Sequence, residues 1–195
     1  MIVVVSDQGD PRGHRRVVLP PLADEEYSCE VCGVSYAQVS VERAVEVIGR
    51  LPEVVWEAVQ SGPLEARRLR LAPEQWSVAE YVCHLRDVYA TYTIRLHRAR
   101  TEHQPVLEPM LNDLRARRFR YNERDVNAVL DELTATAAGF CDEVARNGPD
   151  HWGRLVTRLP GESRTARWLV RQAMHEGQHH LQDIRGTASA VASRV

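Results

Sequence analysis

The sequence predicts an all-α protein built as a four-helix bundle. Four long segments repeat apolar residues at the spacing of an amphipathic helix, and no segment of comparable length alternates apolar and polar residues as a half-buried strand does. Only residues 153–159 could pair as a short strand. At 195 residues the chain is long enough for one domain with a sizeable core. We therefore expect the four helices to pack into one bundle.

The first two helices carry clear apolar stripes. Helix one begins after Ser40, and Pro52 predicts a kink or break inside it. Helix two begins at Ser77, which stands three residues before Glu80 in the spacing of a capping box. The stripes consist of Val41, Ala44, Val45, Ile48, Leu51, Val55 and Ala58 in helix one, and of Val78, Val82, Leu85, Tyr89, Tyr92 and Leu96 in helix two.

The last two helices are equally regular. Helix three has a stripe from Val126 to Val144 and ends at the Asn-Gly-Pro of 147–149. Helix four begins near Thr165 and ends at Gly186, since glycine readily takes the left-handed conformation of a helix C-cap. The connection between helices two and three, 103–123, exceeds the roughly 2–8 residues usual between antiparallel neighbours. It therefore predicts a crossover that leaves helices two and three parallel.

The two ends of the chain differ from the bundle. Residues 1–35 are rich in Pro, Gly and charge and show no apolar period, so we expect a short N-terminal arm outside the bundle core. The bundle then occupies 36–186, and 187–195 form a flexible tail.

Composition and charge exclude several partners. A net charge of -2 and a pI near 6.5 give no electrostatic reason to bind nucleic acid or an anionic membrane. No apolar run approaches the roughly 20 residues of a membrane-spanning helix or forms a signal peptide. We expect a cytoplasmic protein that acts on a small-molecule substrate and whose four cysteines are reduced or bound to metal. Assembly as a homodimer is left open.

Helix four contains a cluster of metal-binding residue types, His175-Glu176-Gly177-Gln178-His179-His180. Two pairs spaced i,i+4 compete for a metal: His175 with His179, and Glu176 with His180. At about 100° per residue, the second pair lies beside the apolar stripe and the first pair lies toward the opposite side. We expect Glu176 and His180 to face the bundle interior, and His175 and His179 to face solvent or a subunit contact. The alternative is that the whole cluster is a solvated helix face.

His84 is the candidate for a third ligand because it borders the apolar stripe of helix two. With Glu176 and His180 it would complete a facial set of two histidines and one carboxylate that leaves positions open for water or substrate. Taken alone, a histidine at the edge of an apolar stripe is more often a satisfied core residue. Asp87 and Asp183 each follow a candidate ligand by about one turn, where a carboxylate orients an imidazole or is simply an exposed charge.

Two segments, WSVAEYVCHLRDV (76–88) and HEGQHHLQDI (175–184), resemble the signatures of the DinB-like superfamily. The resemblance covers residues 40–186. It implies a DinB-type four-helix bundle that binds a divalent metal through His84, Glu176 and His180. Glutamate departs from the common all-histidine pair, but Glu176 is similar to the E-x-x-x-H of the branch that includes mycothiol-dependent maleylpyruvate isomerase. The pair His175 and His179 is the alternative that the pattern leaves open.

The resemblance also implies a function. We expect a divalent-metal-dependent enzyme, with Zn, Ni, Fe or Mn, that performs thiol S-transferase chemistry of the mycothiol type with a low-molecular-weight thiol. All 25 basic residues are Arg, which suggests a GC-rich coding sequence. Such a sequence agrees with a bacterium that uses mycothiol. The alternatives are a metal-dependent hydrolase and a non-catalytic metal-binding stress-response protein. No separate general base stands out, so the catalytic residues are not assigned.

The arm carries a Cys-x-x-Cys-Gly motif at Cys29 and Cys32 that resembles half of a zinc knuckle. A tetrahedral zinc site needs two further ligands, for which His14, Cys83 or a second subunit are candidates. The alternative is a pair of reduced thiols in a local turn.

Overall fold

A computed structural model of the protein describes residues 19–159 and 161–193. Four long helices form a bundle, which confirms the all-α fold class. They are α1 (Val41–Gln60), α2 (Val78–Thr101), α4 (Val126–Ala145) and α5 (Ala166–Ala192), and a short helix, α3 (Asn112–Arg118), lies in the connection between α2 and α4. Two strands, β1 (Leu155–Thr157) and β2 (Ser163–Thr165), pair antiparallel just before α5, so the expected short strand is present. Single 3-10 turns occupy Tyr36–Gln38, Leu64–Arg68, Tyr121–Glu123 and Pro149–His151.

Side-chain caps fix the starts of the two helices that carry the site. At α2 the Ser77 hydroxyl accepts a hydrogen bond from the backbone N–H of Glu80 at 3.3 Å, and the Glu80 carboxylate accepts one from the backbone N–H of Ser77 at 2.9 Å. This is the capping box that the sequence predicts. At α5 the Thr165 hydroxyl accepts from the backbone N–H of Trp168 at 3.1 Å. Both helices therefore begin where their capping residues stand.

Contacts along α2 and α4 show that these two helices run parallel, as the long connection predicts. Near the start of α2, Arg86 forms an ion pair with Glu132 of α4. Further along both helices, Arg100 donates to Glu143 at 2.9 Å. Residue numbers increase together on the two helices, so the 103–123 connection carries the chain back along the bundle.

Helix α5 runs antiparallel to α2. Gln75, just before α2, donates to the Thr187 hydroxyl at 3.4 Å, whereas His84 lies beside Glu176, about three turns earlier on α5. Helix α1 packs against α5 and α4, so the four helices close a ring in the order α1, α5, α2 and α4. The α2–α5 interface therefore brings the histidine of one helix against the cluster of the other.

The bundle encloses an apolar core and allows one very close helix approach. A Cβ added at Gly177 of α5 would collide with the Tyr89 hydroxyl of α2 and with Leu51 of α1. The largest fully buried side chains are those of Trp168, Tyr36, Tyr89, Tyr121, Phe140, Ile48, Leu85, Leu96, Leu133, Leu169, Ile184 and His84.

Among the described residues, none of the helices has the length and apolar character needed to cross a membrane.

Pro52 does not break helix α1, which continues through it to Gln60. One helix boundary differs from the sequence analysis. Helix α5 continues past Gly186 to Ala192, so residues 187–192 are helical and not the expected flexible tail. The physical reason is packing, since the residues after Gly186 find partners in the core and glycine is tolerated within a packed helix. The buried residues of this extension are Thr187, Ala188 and Val191.

The described part of the N-terminal arm, residues 19–35, packs against the rest of the protein and does not lie apart from it. The Trp168 indole donates to the Asp24 carbonyl at 3.3 Å, and the Glu25 carboxylate accepts from the backbone N–H of Thr165 at 2.6 Å. Val34 also joins the hydrophobic core, and Leu22, Ala23, Tyr27 and Cys32 pack against it. The arm residues that make these contacts do not recur at a helical spacing, so they leave no apolar period in the sequence. Residues 1–18 of the expected arm lie outside the described residues.

Candidate metal centre

The three side chains predicted as metal ligands meet at the α2–α5 interface. His84 Nε2 lies 3.3 Å from Glu176 Oε2, and His180 Nε2 lies 3.4 Å from the same oxygen. One ligand atom from each residue lies within 4.8 Å of the other two. Ligands at the bond lengths of zinc are about 3 to 3.5 Å from one another, so this arrangement needs little adjustment to surround a metal ion.

Helix geometry explains why these residues meet. Glu176 and His180 are one turn apart on α5, so their side chains lie on the same face, one above the other. The antiparallel packing of α2 then places His84 opposite both of them. The imidazole rings of His84 and His180 have centroids 4.8 Å apart and stand nearly perpendicular, at 84°. Both rings nevertheless direct Nε2 toward Glu176 Oε2.

Neighbouring side chains orient two of the three candidate ligands. His180 Nδ1 donates to Asp183 Oδ2 at 2.8 Å, which leaves Nε2 facing Glu176. Gln172 donates through Nε2 to Glu176 Oε1 at 2.7 Å, which leaves Oε2 facing the two histidines. Such outer hydrogen bonds fix the tautomer and direction of metal ligands. Sequence reasoning missed Gln172, although its position four residues before Glu176 on the same helix face is a usable signal.

Asp87, the second carboxylate considered for an orienting role, does a different job. It accepts hydrogen bonds from Arg86 Nε at 2.8 Å, from Arg115 Nε at 3.0 Å and from the Tyr121 hydroxyl. Asp87 is buried and is therefore not an exposed helix charge, and its hydrogen-bond partners among the described residues are Arg86, Arg115 and Tyr121 and do not include His84. Its contacts tie α3 and the turn at Tyr121 to α2 and thereby stabilise the crossover.

The charges of the three residues are strongly coupled. Burial disfavours the carboxylate of Glu176, but hydrogen bonds from His180 and His84 outweigh it and keep the pKa of Glu176 well below its usual range. Burial also opposes protonation of His180, yet Asp183 and Glu176 raise the pKa of His180 to about 9. At His84 burial dominates and lowers the pKa. These shifts favour an ion pair between His180 and Glu176 beside a neutral His84 imidazole.

Aromatic rings flank the centre, and two of its three side chains are partly exposed. The Trp76 ring centroid lies 5.1 Å from that of His84, and the Tyr81 centroid lies 5.3 Å from that of His180. The His84 side chain is 2% exposed, whereas those of Glu176 and His180 are 23% and 19% exposed. Within the described part of the chain, no fourth His, Cys, Asp or Glu joins this group. The arrangement can therefore admit a small molecule from the side of Glu176 and His180.

The competing pair on α5 has a different neighbourhood from the one expected. His175 and His179 lie on the outer side of α5, and residues of the N-terminal arm lie against them, so that both are half-buried and the side chain of His179 is 30% exposed. Cys29 Sγ lies 3.5 Å from His179 Nδ1, and ligand atoms of Cys29, Cys32, His175 and His179 all lie within 4.8 Å of one another. The periodicity of α5 shows only that this pair points away from the core; it cannot show what covers it.

The second group also changes the chemistry of a thiol. Burial opposes ionisation of Cys29, but the backbone N–H of Cys32 and the neighbouring side chains of His175, His179 and Cys32 outweigh it. Together they lower the pKa of Cys29 to about 5. This environment favours the thiolate form of Cys29, the form that binds metals.

Among the other ligands considered for the two arm cysteines, Cys83 does not lie with them. Cys83 is buried in α2, where its thiol donates to the Tyr121 carbonyl at 3.7 Å. His14 lies outside the described residues.

A groove of about 540 Å³ lies elsewhere, between α1 and α4. Trp56 and Pro52 line one side of it and Leu130 and Ala137 the other. None of the three candidate ligands lines this groove, so its volume says nothing about access to them.

Comparison with known proteins is consistent with this geometry. The sequence profile of the DinB superfamily matches residues 41–184. The structure is similar to that of YfiT from Bacillus subtilis, described as a probable metal-dependent hydrolase with an unusual four-helix bundle topology. The two chains are 17% identical with a TM-score of 0.73, over 85% of this chain and 94% of the other. Mycothiol-dependent maleylpyruvate isomerase is 13% identical with a TM-score of 0.62, over 76% of this chain and 62% of the other. No curated protein matches the chain.

Proposed function

This chain belongs to the DinB superfamily, and from that premise we propose that it is a divalent-metal-dependent enzyme whose ligands are His84, Glu176 and His180. We further propose that its reaction is the transfer of a low-molecular-weight thiol to a small electrophile. The observation that carries the proposal is the convergence of His84 Nε2, Glu176 Oε2 and His180 Nε2 on one space, with Glu176 and His180 partly exposed to solvent.

The donor set fits a divalent metal. Two imidazole nitrogens and one carboxylate oxygen suit Zn, Ni, Fe and Mn, and their number leaves positions for exogenous ligands. Asp183 and Gln172 already hold the outer atoms of His180 and Glu176, so little conformational freedom is lost on binding. When bound, the metal would lower the pKa of a thiol or water and so supply a nucleophile at neutral pH.

The surrounding residues define how a substrate reaches this centre. His84 forms the buried floor, and Glu176 and His180 form the side exposed to solvent. Trp76 and Tyr81 present apolar ring surface that excludes water from the neighbouring sides. In the proposed reaction the thiol sulfur forms a bond to an electrophilic carbon, the thiol proton passes to water, and any leaving group departs with its electron pair.

Two observations favour thiol transfer as the first candidate. Glu176 at the first position of the pair resembles the branch of mycothiol-using enzymes, and mycothiol-dependent maleylpyruvate isomerase has a similar fold. Hydrolysis is the second candidate. It is favoured by the likeness to YfiT, which extends over more of both chains.

A paired activity screen separates the two candidates. The purified protein is loaded in turn with Zn, Ni, Fe and Mn and mixed with mycothiol or cysteine and a bimane electrophile, and thioether formation is followed by fluorescence. Hydrolysis of nitrophenyl esters and amides is measured in parallel. We expect metal-dependent thioether formation. Metal-dependent hydrolysis alone would select the second candidate, and metal binding without either activity would indicate a non-catalytic metal-binding protein.

Matched variants link the activity to the proposed ligands. Glu176→Gln keeps the size and helix propensity of the side chain but removes its negative charge, so metal affinity and activity should both fall sharply. His180→Gln should do the same. The controls are Glu57→Gln and His103→Gln, which change exposed residues away from the centre and should leave both quantities unchanged. Full metal binding and activity in Glu176→Gln and His180→Gln would reject this ligand set.

A further inference from the structure

A second group of metal-ligating side chains lies on the outer side of α5, next to the metal centre but separate from it. Ligand atoms of Cys29, Cys32, His175 and His179 lie within 4.8 Å of one another. We propose that these four residues form a structural zinc site that fastens the N-terminal arm to α5. This inference does not depend on the proposed enzymatic function, because it uses none of the same ligands.

The donor set is the one that closed zinc sites use. Two thiolates and two imidazoles complete a tetrahedron without leaving a position for water, which distinguishes a structural zinc site from a catalytic one. The ligands also have suitable spacings, with two residues between Cys29 and Cys32 and one helical turn between His175 and His179. A Cys-x-x-Cys turn on one segment and a His pair on a helix is a recurrent way to build such a site.

The turn that carries the cysteines is already formed. The backbone N–H of Cys29 donates to the Val34 carbonyl at 2.8 Å, and the N–H of Gly33 donates to the Cys29 carbonyl at 2.9 Å. Gly33 has a φ of +73°, a conformation that glycine adopts readily. A Cβ at this position would meet no atom within 4 Å, so the glycine serves the backbone conformation and not close packing. The turn thus brings both thiols against α5.

Hydrogen bonds around His175 leave one ring nitrogen ready for a metal. The Tyr36 hydroxyl donates to Gln172 Oε1 at 2.6 Å, so its oxygen accepts from His175 Nδ1, 3.0 Å away. The proton of His175 is then on Nδ1, and Nε2 has a lone pair. Nε2 is buried without a hydrogen-bond partner among the described residues. A buried polar atom without a partner is costly, and a zinc ion would satisfy it.

The two ring nitrogens of His179 also lie near different side chains. Its Nδ1 faces Cys29 Sγ at 3.5 Å, and its Nε2 lies 3.9 Å from Asp183 Oδ2. Each imidazole of the pair therefore directs one nitrogen toward the thiols and the other toward a polar side chain, as metal-bound histidines do.

The two sites are joined by shared neighbours. Gln172 accepts from Tyr36, which contacts His175, and donates to Glu176 of the metal centre. Asp183 accepts from His180 and lies near His179. A zinc ion on the outer side of α5 would therefore hold in place the residues that orient Glu176 and His180.

Cobalt substitution of the full-length protein tests the proposal. The reduced protein is freed of metal and titrated with Co²⁺ while the absorption spectrum is recorded. We expect a sulfur-to-cobalt charge-transfer band in the near ultraviolet together with the intense visible bands of tetrahedral cobalt. Both should disappear in Cys32→Ser and in His179→Gln. They should persist in Cys141→Ser, a thiol on α4 away from the site, and in Glu176→Gln, a ligand of the other centre.

Thiol alkylation gives a second test that needs no variant. Zinc bound to the reduced wild-type protein should slow the reaction of Cys29 and Cys32 with iodoacetamide at least tenfold, read by mass spectrometry of the modified peptides, while Cys141 is unaffected. Three results would overturn the proposal. The reduced wild-type protein could lack the charge-transfer band, or the band could persist in both Cys32→Ser and His179→Gln. The cysteines could also be alkylated at equal rates with and without zinc.

Discussion

The two ring nitrogens of His180 have different partners within the α5 cluster. Its Nδ1 is occupied by Asp183, so only Nε2 can meet Glu176 and His84. A carboxylate at this position raises the basicity of the imidazole as well as fixing its direction. The metal affinity of the centre should therefore depend on a residue that is not itself a ligand.

We predict that Asp183→Asn weakens metal binding at the His84 centre by about 10- to 100-fold, because asparagine keeps the shape but not the charge that supports His180. Chelator competition in a Cys32→Ser background measures this affinity without interference from the arm thiols. Asp131→Asn, an exposed residue on α4, serves as the control. Equal affinities of the Asp183 and Asp131 variants would mean that Asp183 does not orient the ligand.

At the scale of helices, the approach of α5 to α1 and α2 depends on the absence of a side chain at Gly177. The Cβ of Gly177→Ala would collide with Tyr89 and Leu51, so we expect a loss of about 1 to 3 kcal/mol in the free energy of unfolding. Gly186→Ala is a matched control on the same helix, where a Cβ meets nothing within 4 Å. It should stabilise the protein by up to about 1 kcal/mol through helix propensity. Urea unfolding of both variants checks the pair, and equal stability changes would contradict the packing argument.

Glu80 at the start of α2 should make the stability of the folded protein depend on pH. Burial alone would raise the pKa of Glu80, but hydrogen bonds from Arg70 and Ser77 outweigh it and lower the pKa below its ordinary value of 4.5. A carboxyl group whose pKa is lower in the folded state stabilises the protein above its unfolded pKa, and this contribution is lost as the pH falls through the folded pKa.

We therefore expect Glu80→Gln to reduce the free energy of unfolding by about 1 to 2 kcal/mol at pH 7, and the difference from wild type to shrink as the pH falls below about 4. Urea unfolding measured across this pH range tests the prediction. Glu57→Gln on the exposed face of α1 is the control and should follow wild type throughout. A deficit of Glu80→Gln that is the same at pH 7 and pH 3 would show that the charge is not responsible.

At the scale of the whole molecule, the arm contributes to the stability of the bundle. Residues 19–35 accept hydrogen bonds from the start of α5 and lie against His175 and His179. We expect a chain lacking residues 1–35 to keep its helical circular dichroism but to melt about 5 to 10 °C lower, because contacts worth a few kcal/mol are lost. An unchanged melting temperature would show that the arm is energetically separate from the bundle.

Short-range sequence patterns predicted the features of this molecule that depend only on residues close together in the chain. The spacing of Ser77 and Glu80 predicted the start of α2, and the 3.6-residue period separated Glu176 and His180 from their neighbours. Packing between distant segments left no such signal. Three features depend on contacts that only the folded chain creates. They are the packing of the arm on α5, the extension of α5 past Gly186, and the hydrogen bond from Gln172 to Glu176.

The most direct test of the metal centre is an anomalous difference map from crystals of the metal-loaded protein, collected at the absorption edge of the bound metal. We predict a peak about 2.0 to 2.2 Å from His84 Nε2, from an oxygen of Glu176 and from His180 Nε2. Metal found elsewhere in the crystal, with no peak between these three atoms, would contradict the proposed centre.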